Sequence, residues 1–124
     1  SLGSYVNLVN LGPTSSYKDL FRCKWGSVGI ILTEPAGREE NFFELDSRDI
    51  LLFKRHPEAT SARNLLECIV TDIYGCGNRV RVELACGDEH LIAQVVPESV
   101  SELGIKKGAM VVAAIKASAF KKIF

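Results

Sequence analysis

Two short segments combine small residues with one long cation, and both could bind an anion. They are Ser61-Ala62-Arg63-Asn64 and Ile115-Lys116-Ala117-Ser118. Each segment carries a hydroxyl that can donate a hydrogen bond, and each alanine is small enough to leave backbone N–H groups open to a ligand. A dianion taken out of water needs several donors and roughly two compensating charges, which Arg63 and Lys116 could supply.

Each cation also has an ordinary explanation. Arg63 and Asn64 could cap a loop and pair with a surface carboxylate, as surface arginines usually do. Lys116 could be the outward residue of an edge strand, where a charge prevents aggregation. The lysines at 106, 107, 121 and 122 are interpreted as solvated turn and terminal charges, not as ligands.

Enzyme signatures are absent from the sequence. There is no phosphate-binding GxxxxGK[ST] loop, no GxGxxG, no GxSxG and no HExxH. His56 and His90 lie apart without a nucleophile partner, and the four cysteines show no CxxC and no histidine at zinc-ligand spacing. We therefore expect reduced, structural thiols, no metal site and no catalysis in this chain.

The totals restrict the class of protein. A chain of 124 residues with 47% apolar residues fits one ordinary domain, or two very small ones sharing a core. Fifteen basic residues balance fifteen acidic ones, so no global field attracts nucleic acid or an anionic membrane. No membrane-span-length apolar run and no secretory leader are found, which predicts a cytoplasmic location. Ser1–Ser4 resembles a cleaved tag, which suggests a piece of a longer protein.

Strands are expected throughout the second half. Residues 79–84 alternate strictly between apolar and charged side chains, as a half-buried strand does. A short helix is predicted to begin at Pro97 and stop at Gly104, with Ser99 and Glu102 spaced as a capping box. The other predicted strands cover residues 67–74, 90–96, 109–116 and 119–124.

The first half is less regular. Strand candidates cover residues 5–11, 20–24, 27–33, 41–45 and 49–53. His56 and Pro57 mark the most linker-like point, which divides the chain into a β-rich half at 5–57 and a second half at 58–124. The sequence thus predicts an all-β fold of two small OB-like barrel or sandwich units packed together, with one short helix in the second.

Four motifs follow one another in a fixed order through the second half. They are SARN at 61–64, VxVEL at 80–84, AxVxxESVxxLGIKxG at 93–108 and AxIKAS at 113–118. In order and spacing they resemble the molybdate-binding Mop or TOBE domain over residues 60–124, about half of the chain. The first half more loosely resembles the strand-rich stretch that links an ATP-binding cassette ATPase to such a module, with residues 44–50 closing it.

The resemblance implies a function and a set of site residues. It implies binding of molybdate or tungstate, in the C-terminal regulatory domain of a molybdate-importer ATPase whose nucleotide-binding part lies outside this chain. In that family the sites form between copies of the module, so a homodimer or higher homo-oligomer is expected, with the ATPase domain and a membrane permease as further partners. The implied oxyanion-binding residues are Ser61, Ala62, Arg63, Val96, Ser99, Lys116, Ala117 and Ser118.

Two positions depart from the family pattern. Val96 stands where the family usually has threonine, and a lost hydrogen bond of this kind is worth on the order of 1 kcal/mol. Ser99 and the backbone near Val96 are candidates to compensate. If the first half is a degenerate copy of the module, Asp46 falls at the position of Lys116, where a carboxylate would repel a dianion. We expect no oxyanion site in the first half.

Three alternatives compete with this prediction. A free-standing Mop-type storage protein would share the whole pattern, and a structural dimerisation domain with an inactive site is compatible with Val96. An OB-type nucleic-acid-binding module would need a basic groove with exposed aromatic residues. The neutral net charge argues against that module, and the aromatic residues Trp25, Phe42, Phe43 and Phe53 are expected to be core or subunit-contact residues.

Overall fold

The computed structural model describes residues 5–37 and 41–123, and strands dominate both halves. The first half contains β1 (Val6–Leu11), β2 (Ser15–Tyr17), β3 (Leu20–Trp25), β4 (Val28–Leu32), β5 (Asn41–Asp46), a first 3₁₀ turn (Ser47–Asp49) and β6 (Leu51–Phe53). The second half contains β7 (Asn64–Cys76), β8 (Arg79–Cys86), β9 (Glu89–Val95), helix α1 (Pro97–Leu103), β10 (Met110–Ile115), a second 3₁₀ turn (Ala117–Ala119) and β11 (Lys121–Lys122). The predicted all-β fold with one short helix in the second half is confirmed.

The main differences from the predicted elements lie at strand ends. Strand β2 was not predicted, because Ser15–Tyr17 is fully exposed and lacks apolar alternation. The strand expected at 49–53 begins only at Leu51, because a 3₁₀ turn occupies Ser47–Asp49. The strand expected at 119–124 is reduced to Lys121–Lys122, and Phe124 lies outside the described residues.

The strands form three antiparallel sheets. The orders are β1-β5-β11, β2-β3-β4 and β6-β10-β7-β8-β9. Strand β7 is long enough to pair with two partners: residues 64–69 pair with β10 and residues 69–76 pair with β8, with a register shift between Val70 and Asp72 inside the β8 pairing. The shift bends the strand from one pairing direction into the next.

The two halves repeat the same arrangement. In the first half β1 pairs with β5 while β2, β3 and β4 form a meander, and in the second half β7 supplies both roles, pairing with β10 and leading into β8 and β9. Each half ends in a 3₁₀ turn and a short strand, and these short strands are exchanged: β6 pairs with β10 and β11 pairs with β5. Two of the sheets therefore contain strands from both sides of the boundary predicted near residue 57. The division into units at that boundary stays a prediction.

Two buried asparagines make equivalent links between the halves. Asn7 on β1 accepts from the Ile92 N–H at 2.8 Å and donates to the Ile92 and Leu45 carbonyls at 2.9 and 3.2 Å. Asn64 on β7 accepts from the Ile31 N–H at 2.7 Å and donates to the Ile31 and Ile115 carbonyls at 3.0 and 3.2 Å. Each asparagine therefore satisfies backbone groups of a strand in the opposite half, which tertiary packing would otherwise leave buried without partners.

One hydrophobic core is shared by the two halves. Trp25, Phe43 and Leu45 from the first half join Ile115 and Phe120 from the second in a continuous buried cluster. The interpretation of Trp25 and Phe43 as core residues is confirmed, while Phe42 and Phe53 are half-buried. The alternation of buried and exposed residues along β1 is what a strand with one face on a core shows.

Helix α1 begins at Pro97 and ends at Gly104, as predicted, but its start is not a capping box. The N-cap residue is Val96, which has no hydroxyl, and Ser99 lies inside the first turn with its N–H bonded to the Val96 carbonyl at 3.0 Å. The capping-box prediction was wrong because proline at N1 places the N-cap at Val96, three residues before Ser99. Gly104 adopts the left-handed conformation, with φ of 62°, that ends the helix.

Three of the four cysteines are buried, and all four are free thiols. The Sγ atoms of Cys68 and Cys86 are 2.8 Å apart on neighbouring strands. This hydrogen bond raises the pKa of Cys86 and lowers that of Cys68, while burial raises the pKa of Cys23 to about 11.

We expect iodoacetamide at pH 8 to label Cys76 rapidly in the native protein and the other three cysteines only after unfolding. Cys76 is the one cysteine that is not buried, and Cys23 holds a thiolate fraction of roughly one in a thousand at that pH. Peptide mass spectrometry of native and urea-unfolded samples measures this. Rapid native labelling of Cys23 or Cys86 would contradict the burial described above.

Candidate functional site

The two segments singled out in the sequence meet in one open cleft of about 380 Å³, which we call the Lys116 cleft. Residues before β7 form one wall, and residues after β10 form another. The first half supplies a third wall from its own 3₁₀ turn and the start of β6. The lining residues are Arg48, Asp49, Leu51, Thr60, Ser61, Ala62, Ala114, Lys116, Ser118, Ala119 and Lys121.

Asn64 is the residue that fixes these walls relative to one another. It directly follows Ser61-Ala62-Arg63, is only 3% exposed, and sits opposite Ile115 in the β7–β10 register. Its Nδ2 atom donates to the carbonyl of Ile115, which precedes Lys116. The asparagine of the SARN motif therefore has a structural function, and it holds Ser61 near Lys116.

The charges lining the cleft suit a doubly charged anion. Arg48, Lys116 and Lys121 contribute three positive charges and Asp49 one negative charge, which leaves a net charge of two positive among the lining residues. The whole chain has a formal net charge of zero, so this excess is local. The hydroxyls of Thr60, Ser61 and Ser118 can donate hydrogen bonds beside it.

Backbone donors in the cleft are less open than the sequence suggested. The Ala62 N–H already donates to the Thr60 Oγ1 atom at 3.1 Å. Ala117 is buried and does not line the cleft, although Lys116 and Ser118 on either side of it do. An anion would therefore meet side-chain donors first, and it would reach the Ala62 N–H only if Thr60 turned its hydroxyl away.

Arg63 lies outside the Lys116 cleft. Arg63 lines a larger cavity of about 630 Å³ together with Arg22 and Lys24, and a smaller cavity beside Lys18 and Asp19. The chain bends at Ser61 and Arg63 before β7 begins, and Ala62 lies at the junction, since it lines both the cleft and the smaller cavity beside Arg63. Within this chain, then, Lys116 and not Arg63 is the predicted cation that faces the serines.

Val96 and Ser99 line a neighbouring cavity of about 310 Å³ at the start of helix α1. Arg48 and Leu51 border both this cavity and the Lys116 cleft. The eight predicted residues are therefore divided. Ser61, Ala62, Lys116 and Ser118 line the Lys116 cleft, and Val96 and Ser99 line the neighbouring cavity. Arg63 lines other cavities, and Ala117 is buried.

The cleft contains cations that the sequence did not suggest. Lys121, interpreted from the sequence as a solvated terminal charge, lines the cleft, and so does Arg48. The Arg48 Nη2 atom is 3.1 Å from Asp46 Oδ2 and its Nε atom is 3.2 Å from Asp46 Oδ1; the arginine is exposed and the aspartate is half-buried. The hydrogen bonds that Arg48 donates to the Asp46 carboxylate raise the pKa of Arg48 above its usual value. A signal was present in the sequence, because Arg48 stands two residues after Asp46 as Ser118 stands two residues after Lys116.

Other kinds of site find less support in the described ranges, 5–37 and 41–123. Within them, no group of three or more His, Cys, Asp or Glu side chains could hold a metal ion. In the same ranges no helix has the length and apolar character needed to cross a membrane.

Fold and cleft together define a small ligand-binding domain built from a repeated β module. The family model for the TOBE domain matches residues 60–121, which is half of the chain. The chain therefore belongs to the TOBE domain family.

Relatives and solved structures agree with this assignment. The chain is similar to the molybdenum import ATP-binding protein ModC of Yersinia pseudotuberculosis serotype I (strain IP32953), 35% identical over 78 residues that cover 63% of this chain and 22% of the relative. It is also similar to ModC of Escherichia coli (strain K12), 36% identical over 72 residues, or 58% of this chain and 20% of the relative. The chain thus spans about one fifth of the length of these relatives.

A solved structure of the cytoplasmic molybdate-binding protein ModG, with molybdate bound, has the same fold. The TM-score is 0.72 at 24% sequence identity, and the superposition covers 95% of this chain and 94% of ModG. Because it extends over nearly the whole chain, the first half shares the fold as well as the second. The prediction of OB-like β units is thereby confirmed.

Proposed function

We propose that this chain binds molybdate or tungstate in the Lys116 cleft, as the accessory regulatory domain of a molybdate-importer ATPase. The observation that carries the proposal is the convergence of Ser61, Lys116 and Ser118 on one cleft with a net charge of two positive. The names of its relatives support the ligand, since ModC is a molybdenum import ATP-binding protein and ModG binds molybdate.

The chemistry of the cleft fits a tetrahedral dianion. Lys116 provides a point charge with three rotatable donors, which can meet oxygen atoms in several orientations. Ser61 and Ser118 donate from opposite walls, so their hydroxyls can reach different oxygens of one anion. Arg63, Val96 and Ser99 remain proposed ligands only where a second copy or a local rearrangement brings them to the same anion.

A second copy of the chain is part of the proposal. The resemblance to the family implies sites between copies of the module, and a second copy could bring its Arg63 to the Ser61, Lys116 and Ser118 that one chain already places in the cleft. Leu51 supports this, since it lines the cleft and is 55% exposed, an apolar surface that a homodimer or higher homo-oligomer would cover.

The setting proposed for the domain follows from its relatives. Nucleotide hydrolysis would belong to the parts of the ModC relatives that this chain does not span, and this domain would bind without catalysing. We propose a cytoplasmic location beside the membrane permease, where an occupied cleft reports that molybdate has accumulated.

Thermal melting with added anions tests the proposal. We expect molybdate and tungstate to raise the melting temperature by several degrees, because a ligand at about 100 times its Kd stabilises the native state by about 2.7 kcal/mol. Sulfate at the same ionic strength is the matched control for charge, and chloride is the control for salt. Absence of any molybdate-dependent shift, together with no heat of binding by calorimetry, would overturn the proposal.

The same measurements separate the alternatives. A structural dimerisation domain with an inactive site would show a dimer by size-exclusion chromatography and no shift with any oxyanion. A nucleic-acid-binding module would be stabilised by single-stranded oligonucleotides and not by molybdate. The burial of Trp25 and Phe43 counts against that module, since those rings cannot stack on bases.

A further inference from the structure

The two 3₁₀ turns occupy equivalent places in the repeated modules. Each follows a strand that is paired on both sides, β5 between β1 and β11 in the first half and β10 between β6 and β7 in the second. The residues before the turns, Asp46 and Lys116, have nearly the same backbone angles, φ −66° and ψ 132° against φ −66° and ψ 144°. Arg48 is therefore the first-half counterpart of Ser118.

Both turns line the same cleft. Arg48 and Asp49 face it from the first half, and Ser118 and Ala119 face it from the second. The repeat has thus kept the direction of the turn while changing its chemistry: the second half carries its cation before the turn at Lys116, and the first half carries its cation inside the turn at Arg48.

Arg48 is held by an ion pair with Asp46 that is accessible to solvent, so an anion in the cleft can replace Asp46 as its partner. Asp46 contacts the guanidinium through both carboxylate oxygens, but the arginine side chain is 64% exposed and the aspartate 26%, so water screens the pair from the arginine side and weakens it. A dianion in the cleft offers the same planar group two oxygens and twice the charge.

We propose that Arg48 is an oxyanion ligand contributed by the first half, and that Asp46 competes with the anion for it. The inference rests on the proposed function of the Lys116 cleft. Arg48 also borders the cavity of Val96, so its guanidinium supplies donors on the side where valine has replaced the hydroxyl expected from the family. The first half then acts in binding, although it has lost the lysine of its own turn.

Isothermal titration of molybdate into four variants tests this inference. We expect Arg48→Gln to raise the Kd roughly tenfold, the usual effect of losing one charge-assisted hydrogen bond. Asp46→Asn should lower the Kd, because a neutral amide no longer holds the guanidinium by charge. The backbone N–H of Arg48 now donates to Asp46 Oδ1 at 2.8 Å, and asparagine keeps an oxygen that can accept this hydrogen bond. Arg55→Gln, at an exposed arginine that does not line the cleft, should bind like the wild type.

The double variant Asp46→Asn/Arg48→Gln distinguishes competition from simple repulsion. If Asp46 acts by holding Arg48, its replacement has no effect once Arg48 is gone. An equal gain in both backgrounds would overturn the competition, and an unchanged Kd in Arg48→Gln would overturn the role of Arg48. A wild-type chain that binds no molybdate would overturn the proposed function itself, which separates the two failures.

Discussion

Replacing Lys116 with alanine is expected to raise the Kd for molybdate roughly 30-fold, the largest effect of any single change in the cleft. Lys116 is the predicted cation that faces both serine-bearing walls, and its loss removes half of the net positive charge among the lining residues. A hydrogen bond from a charged donor is worth about 1.5 to 3 kcal/mol, which corresponds to one to two powers of ten in affinity. Calorimetry at constant ionic strength measures the change.

Lys106→Ala is the matched control for this prediction. Lys106 is an exposed lysine in the turn before β10 and does not line the cleft, so its removal changes the net charge of the chain equally. We expect it to bind molybdate as the wild type does. Equal losses in the two variants would mean that the overall charge attracts the anion and that the cleft is not the site.

Replacing Asn64 with leucine is expected to lower the free energy of unfolding by about 3 to 5 kcal/mol. The substitution keeps the branched shape of the side chain but leaves the Ile31 N–H, the Ile31 carbonyl and the Ile115 carbonyl without the partners that Asn64 provides. Buried backbone groups without partners are among the most destabilising defects in a fold. Urea unfolding followed by circular dichroism measures the loss.

Asn7→Leu provides the comparison that separates stability from binding. Asn7 makes the equivalent three hydrogen bonds in the other half and is similarly buried, but it does not hold the residues beside Lys116. We expect both variants to be destabilised to a similar degree and only Asn64→Leu to lose affinity for molybdate under conditions where it is folded. Equal affinities would show that Asn64 does not position the site.

Most of the strands could be predicted because local sequence determines them. The strict alternation at residues 79–84 reflects a strand with one face on the core, and β8 indeed covers Arg79–Cys86. The exchange of β6 and β11 could not be predicted, since a three-residue and a two-residue strand carry no periodicity that specifies their partners. Their pairing depends on which sheet edge the rest of the fold leaves nearby.

In the site, too, residues within local motifs could be predicted, whereas residues placed by long-range packing could not. The motifs indicated Ser61, Lys116 and Ser118, and the structure brings these residues together. The direction of Arg63 could not be read from the motif, because it depends on the side of the segment that faces the cleft. Arg48 was missed because its place in the cleft depends on the packing of one half against the other, and its one signal in the sequence, its position two residues after Asp46, does not specify that packing.

The exchanged strands also restrict how the protein can be made. The sheet of the first half is completed by Lys121–Lys122, and Asn7 finds its partner at Ile92, 85 residues further along the chain. During synthesis on the ribosome the first module therefore emerges with an open sheet edge and with an Asn7 that has Leu45 but not yet Ile92 as a partner, and it must wait for the second module before it can close. Contacts this distant in sequence slow folding. The nascent first half, not the finished protein, is thus the stage most exposed to aggregation and to chaperone binding.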